Sequence, residues 1–472
     1  MTSVVSQPLR EQPIGQQVGP VRSWRIRERG TPRTPWPYYG MIAAFPIWWA
    51  IGLGPVVFPL LAVPLAWQLA KLRPLRLPPG WIIWVCFLGW VLLSGTMLGM
   101  HPPDTLAGSP TARLLPFTSR YLSYLSATVV LLYVYNAPDR LLSIARTVSV
   151  QALLFVEVIG LGVLGVLFPR FTFTAPLAHI VPAGMSGQNY LVQRTQLSFA
   201  QLQSVLGYPA PRPAAPFAYT NAWGEISSLL AVWFIVWGWS RRERWGKPVT
   251  LAVLLVAAVP TVYSLNRGMW AGVAVALVYI GLRRALHGHL LQALIGAVAV
   301  ALVALGVLAS PLGATIQERF AHPHSNEARA SVSAAAIKGA MTSPVLGYGS
   351  TRDVVGSNQS ITVGRSASCL KCGNAAIGGA GHLWLLIFSQ GFVGAGLYVL
   401  FFLRCLWVSR RSRAMVALAG STVMIMGLLY MFVYGHVGMP LLLYMTAAAL
   451  MARASQSPPP VPAPTRRRSV SR

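Results

Sequence analysis

Three short stretches of the chain carry groups able to handle a phosphate or a proton, and a glycine turn accompanies them. Tyr263-Ser-Leu-Asn-Arg267-Gly268 closes one apolar block, and Gly381-His382-Leu-Trp384 opens a later one. Between them, Ser325-Asn-Glu327-Ala-Arg329 and then Pro344-Val-Leu-Gly347-Tyr-Gly349 lie in a long polar segment. A guanidinium presents a planar fork of donors that suits phosphate oxygens, and Gly268 lets another backbone come close. An imidazole takes up a proton near neutral pH, which is what a general base must do. Each stretch has a plainer alternative: Arg267 can snorkel to lipid headgroups, Arg329 can be a solvated surface group, and His382 a packed ring.

The elements that must position these groups are apolar helices. Of 472 residues, 54% are hydrophobic and 10% are charged, whereas a soluble domain carries about 25% charged residues. The apolar residues come in blocks long enough to cross hydrocarbon, where a helix satisfies its own backbone. The blocks lack the alternation of an outer-membrane barrel. The fold expected is an all-α integral membrane protein of about twelve spans: 37–53, 54–70, 81–100, 119–136, 143–168, 222–239, 248–265, 268–282, 288–309, 381–403, 414–433 and 438–452. A membrane domain over 37–452 then includes two long outer loops, 169–221 and 310–380, the second partly helical and set between spans nine and ten.

Net charge is +28, but the basic residues punctuate the apolar blocks instead of forming a face for nucleic acid, so no nucleic-acid partner is expected. Lys71, Arg73, Arg140, Arg241, Arg242, Arg244, Arg283, Arg284, Arg410, Arg411 and Arg413 fall in alternate connections. The positive-inside rule puts those connections, the basic tail 1–36 and the Pro/Arg-rich tail 453–472 in the cytoplasm. The three chemical stretches then face outward, at a membrane whose lipids are the surrounding partner.

Further candidates are weaker. Glu157 and Glu225 are carboxylates inside apolar blocks and functional candidates by default, although Glu225 could simply pair with an arginine. Arg194 and Arg212, in the first outer loop, could contact a substrate or be solvated. Cys369 and Cys372 lie in an exported loop, where a disulfide is favoured over free thiols. No outer pair of neighbouring carboxylates suggests a divalent-metal site, so neither metal nor cofactor is expected.

Together, Arg267-Gly268, Arg329, the turn Pro344–Gly349, His382, and Gly391 and Gly394 after it resemble the pattern of the O-antigen ligase and O-antigen polymerase superfamily. The motifs cover about residues 218–400. The chain departs from the pattern at Ser333 and Ala334, near where a tryptophan often stands, and at Tyr219-Thr-Asn221-Ala-Trp223-Gly-Glu225, which replaces an Asn-Pro-Asn-like segment. The resemblance implies a GT-C-like fold in a bacterial inner membrane. It also implies transfer of a glycan from a polyprenyl diphosphate carrier to a hydroxyl of a glycan, lipid or protein acceptor. Arg267 and Arg329 would bind the diphosphate and His382 would be catalytic, with Arg194, Arg212, Asn221 and Glu225 as substrate contacts. Ligase and polymerase stay open. Other classes remain as alternatives: a flippase or transporter of lipid-linked saccharide, or a scaffold for envelope assembly.

Overall fold

The computed structural model describes residues 34–456 apart from 104, 106–108, 181–194, 204, 207, 242, 322–324 and 354–375, and apart from the side chains of 325–328. Both expected tails therefore lie largely outside the described residues, although the segment expected to leave the membrane at 453 continues as helix to Gln456.

The apolar blocks fold into helices: α1 (Trp36–Ile42), α2 (Phe45–Ala50), α3 (Val57–Ala70), α4 (Trp81–Ser94), α5 (Pro110–Asn136), α6 (Asp139–Leu142), α7 (Ile144–Leu167), α8 (Thr220–Ser240), α9 (Gly246–Tyr263), α10 (Arg267–Leu286) and α11 (Leu290–Leu308). After them come α12 (Pro311–Ala321), α13 (Ser325–Thr342), α14 (His382–Ser409), α15 (Met415–Tyr430) and α16 (Met439–Gln456). At the centre is α16, packed on α5, α8, α14 and α15, with every residue from Met439 to Ala452 buried. At the edge is α11, as apolar as any helix in the molecule and with none of its residues buried. An apolar surface on that scale is stable only against lipid.

The expected twelve spans are not all found. Among the described residues, seven helical stretches are long and apolar enough to cross a membrane: 81–99, 139–167, 220–240, 246–263, 267–286, 290–308 and 382–409. The block 37–53 breaks into two short helices, each with a proline in its first turn, and cannot cross as one straight helix. Helices α3 and α15 fall short, at 14 and 16 residues. Helix α5 begins nine residues before its apolar block, at Pro110, and carries Arg113 and Arg120 in its first half. Helix α16 is surrounded by protein, so its surroundings do not demand the apolar composition that lipid imposes.

The bundle itself is all-α, as expected, and among the described residues the named strands are confined to a loop. The first long loop holds two antiparallel ribbons, β1 (Thr172–Thr174) with β2 (Gln196–Ser198), and β3 (Ala200–Gln203) with β4 (Ala210–Pro213). The second loop is helical over α12 and α13, as expected for a partly helical segment. Both loops, the segment 431–438, and the N-termini of α8, α10 and α14 gather at one end of the bundle, hereafter the loop end.

Candidate active site

The turn between α9 and α10 is the anchor of the loop end. Leu265 sits at φ 51°, a left-handed conformation that costs a branched residue about 1 kcal/mol or more. Two arginines hold the turn there. The Arg212 Nε donates to the carbonyl of Ser264 at 2.6 Å, and the Arg319 Nε donates to the carbonyl of Leu265 at 3.2 Å. Arg212 also bonds the Gln203 side chain across the β3–β4 ribbon. Asn266 caps α10, reaches the Thr220 carbonyl at the head of α8, and accepts from the Tyr434 hydroxyl.

Glycines make these approaches possible. A Cβ on Gly268 would lie 2.5 Å from the Tyr434 hydroxyl, and one on Gly224 would lie 2.3 Å from the Asn266 amide nitrogen. Gly268 was expected to admit another backbone; what it admits at close range is the Tyr434 side chain.

Four guanidiniums converge beside this turn. Burial pushes Arg212 down to about 9, with Arg319 and Arg329 adding repulsion that Tyr434 partly offsets. Burial, then Arg267 and Arg329, pushes Arg319 down to about 10. Burial also lowers Arg329, with Tyr434 opposing and Arg267 reinforcing the shift. These three remain cationic at neutral pH, because a guanidinium holds its proton far above it. Arg267 and Arg329, the expected pair, are thus brought together, and both are only partly buried. Arg212 is 5% exposed, which overturns its reading as a solvated surface group. Arg319 was not singled out in the sequence: it is one arginine of a loop helix, and nothing local to it signals the turn it holds.

His382 stands elsewhere than its sequence position suggests. It was expected at the outer surface of its span, but the side chain is 0% exposed and turned into the bundle. Its ring lies 4.9 Å from that of Tyr398 and 5.3 Å from that of His436, centroid to centroid, and among the described residues neither ring nitrogen has a hydrogen-bond partner. The start of α14 is fixed by segment 431–438: the amides of His382 and Leu383 donate to the carbonyls of Tyr434 and Met431. Gly381 fits there because a Cβ would sit 2.5 Å from the backbone of Phe432.

The Pro344–Gly349 turn braces the same helix from its far side. Gly391 leaves helical geometry at φ 68°, which frees carbonyls and amides in α14. The amides of Tyr348 and Gly349 donate to the carbonyls of Phe388 and Ser389, and Phe392 donates back to Pro344. Gly347 and Gly349 have φ of 65° and 70°, and a Cβ on Gly347 would meet the Gly391 nitrogen at 2.5 Å. This glycine turn positions a kinked helix by backbone pairing.

Among the described residues Glu225 pairs with no arginine, contrary to the simple expectation. Its Oε1 accepts from the Tyr444 hydroxyl at 2.8 Å and lies 3.4 Å from His436 Nε2. Asn221, one turn earlier, is partly buried. Glu157 lies in α7, with Oε2 buried and without a hydrogen-bond partner among the described residues. Arg194, Cys369 and Cys372 lie outside the described residues. Among the described residues, no three His, Cys, Asp or Glu side chains come together as a metal site would need. His436, Tyr398 and Tyr434 were missed because each acts through a partner distant in sequence.

This fold and this polar loop end define a multi-pass α-helical membrane protein. Compared with known proteins, the chain matches no family model and no curated protein.

Proposed function

We propose that the chain is a glycosyltransferase that moves a glycan from a polyprenyl diphosphate carrier to an acceptor hydroxyl, with ligase and polymerase as its two forms. The observation that carries this reading is the convergence of Arg212, Arg267, Arg319 and Arg329 at the end of the bundle where α14 begins with His382. A diphosphate presents several anionic oxygens at headgroup level, and clustered guanidiniums bind such a group by charge-assisted hydrogen bonds. The same cations stabilise the charge that grows on the leaving diphosphate, without a metal ion being required. Arg212 and Arg319 hold the turn, while the less buried Arg267 and Arg329 take the diphosphate.

His382 accepts the proton of the incoming hydroxyl. For that, the Gly378–Gly381 approach and segment 431–438, which pack on one another, must part to admit the acceptor. The loop end faces outward in a bacterial inner membrane, in a GT-C-like arrangement. Cation-over-indole pairs support this orientation at the opposite end: Lys71 over Trp67 at 3.3 Å, Arg410 over Trp407 at 3.7 Å and Arg241 over Trp237 at 4.5 Å. Basic and aromatic side chains in such pairs mark a cytoplasmic membrane boundary.

The test uses the full-length protein in lipid vesicles with a labelled polyprenyl-diphosphate glycan, in EDTA. Label appearing on a hydroxyl acceptor is the expected result. Leaflet exchange of intact donor, with no transfer, would identify a flippase instead.

A further inference from the structure

Two arginines in the first half of α5 stand about two turns apart, and the fold treats them differently. Arg113 is buried and satisfied: its Nη1 donates to the carbonyl of Leu98 at 2.9 Å, and its Nη2 lies 3.3 Å from His101 Nδ1. Arg120 is partly buried, with Nη1 shut inside and without a hydrogen-bond partner among the described residues. One turn further on, the Tyr124 hydroxyl is fully buried and equally lacks a partner among them. The Tyr124 ring stands 6.3 Å from that of His382, edge to face, and both His382 nitrogens are in the same condition. Arg120 is near enough to act electrostatically on both rings.

A single buried polar atom without a partner is a tolerable cost, but several in one neighbourhood are not what packing selects. Phenylalanine would serve the core in place of Tyr124, whose ring already packs on Phe87 at 5.2 Å and on Trp84 at 6.3 Å. The charge balance is as one-sided as the hydrogen bonding. No carboxylate among the described residues acts on Arg120, Tyr124 or His382, and His436, which also acts on His382, can bring only positive charge. What the three side chains lack is a group with anionic oxygens, to which the guanidinium and the phenol donate beside the imidazole. Segment 431–438 separates them from the other guanidiniums of the loop end. At Tyr434 it meets the α10 side, where the hydroxyl donates to Asn266; at Gly438 it meets α5, where the amide donates to the Ser123 hydroxyl at 2.8 Å. His382 is tied to the same segment through its own amide, 2.7 Å from the Tyr434 carbonyl.

We infer that Arg120, Tyr124 and His382 form the acceptor subsite, and that the acceptor carries an anionic group, a phosphate or a carboxylate, close to the hydroxyl it offers. This rests on the reading of the chain as a transferase. The donor diphosphate occupies the arginine cluster on the α10 side of segment 431–438. Arg120 and Tyr124 hold the anion of the acceptor on the α5 side, which places its hydroxyl beside His382. The anion also brings the negative charge that the described residues do not bring to this imidazole.

The test is binding of glucose 6-phosphate and of glucose to the full-length protein in a phosphate-free detergent, with polyprenyl diphosphate present at saturation. Wild type should bind the sugar phosphate and not glucose. Arg120→Gln should weaken that binding about ten-fold or more, Arg120→Lys should restore part of it, and Tyr124→Phe should weaken it about two- to ten-fold. Neither Arg120→Gln nor Tyr124→Phe removes a hydrogen bond that these side chains make among the described residues, so each variant should have a Tm at or above that of wild type. A residue that merely braces the bundle would do the reverse, lowering Tm and leaving binding alone. Should Arg120→Gln fail to fold, Tyr124→Phe carries the test. No binding of glucose 6-phosphate by wild type, or equal binding by the variants, overturns the inference. A lipid phosphate is the other source of such an anion: displacement of glucose 6-phosphate by an equimolar amount of phosphatidylglycerol would assign the pocket to a headgroup and also overturn it. If wild type transfers no glycan but its binding of glucose 6-phosphate still depends on Arg120, the transferase reading fails and the anion pocket stands.

Discussion

At one end of the bundle Arg241, Arg244 and Arg410 lie exposed over the rings of Trp237, Trp245 and Trp407. At the loop end Arg212 and Arg319 are each 5% exposed, donate to backbone carbonyls, and crowd against Arg267 and Arg329. The residue type is the same and the physics is opposite. An exposed guanidinium over an indole gains a cation–π contact worth about 0.5–1 kcal/mol and keeps its water. Arginines drawn together and partly or fully buried give up water and add repulsion, a cost that an exposed guanidinium does not bear. The difference separates arginines exposed over indole rings from arginines buried against backbone carbonyls and one another.

The comparison can be pressed from its most damaging substitutions to its mildest. His382→Ala should lower turnover by roughly 10²–10⁴-fold with donor affinity little changed, as loss of a general base does. His382→Gln retains a polar group without the base; full turnover in that variant would leave His382 a hydrogen-bonding role only. Arg267→Ala and Arg329→Ala should each cost roughly 10²–10³-fold, the scale of losing one donor to a developing anion. The lysine variants should fall between alanine and wild type, because an ammonium lacks the planar fork. Full activity in both alanine variants would make these arginines equivalent to those at the opposite end.

Gly347→Ala forces a side chain onto φ 65° and into the Gly391 nitrogen, so it should destabilise by about 1–3 kcal/mol, read as a lower Tm. An unchanged Tm would show that the turn does not brace α14. Arg410→Ala is the mild case: its contact is exposed and distant from the site, so stability should change by about 0.5 kcal/mol and transfer by less than two-fold.

The two regions were unequally legible in the sequence. Helices α8 to α11 and α14 to α16 begin and end within a few residues of their apolar blocks, except that α10 runs to Leu286 and α14 to Ser409, where the bundle carries basic turns past the apolar stretch. Hydropathy fails at 37–53, where composition is apolar but prolines and tight turns break the helix. It also fails to mark the ribbons in 169–221, of which β3 and β4 pack on α7. In the site, Arg267, Arg329 and His382 carry local motifs and could be named. Arg319 and His436 could not, because each is defined by a partner more than fifty residues away: Leu265 for one, Glu225 for the other. The direction in which His382 points was misread for the same reason, since segment 431–438 and Tyr398 draw it inward.

The most direct measurement is the affinity of the purified protein for polyprenyl diphosphate in wild type, in Arg267→Ala and Arg329→Ala, and in Arg241→Ala and Arg410→Ala. Binding should weaken about ten-fold or more in each loop-end variant, the loss expected for one charge-assisted contact, and stay at the wild-type value in the other two. Equal affinity across all four variants would contradict the account, because the arginines of the loop end would then have no anion of this kind to hold.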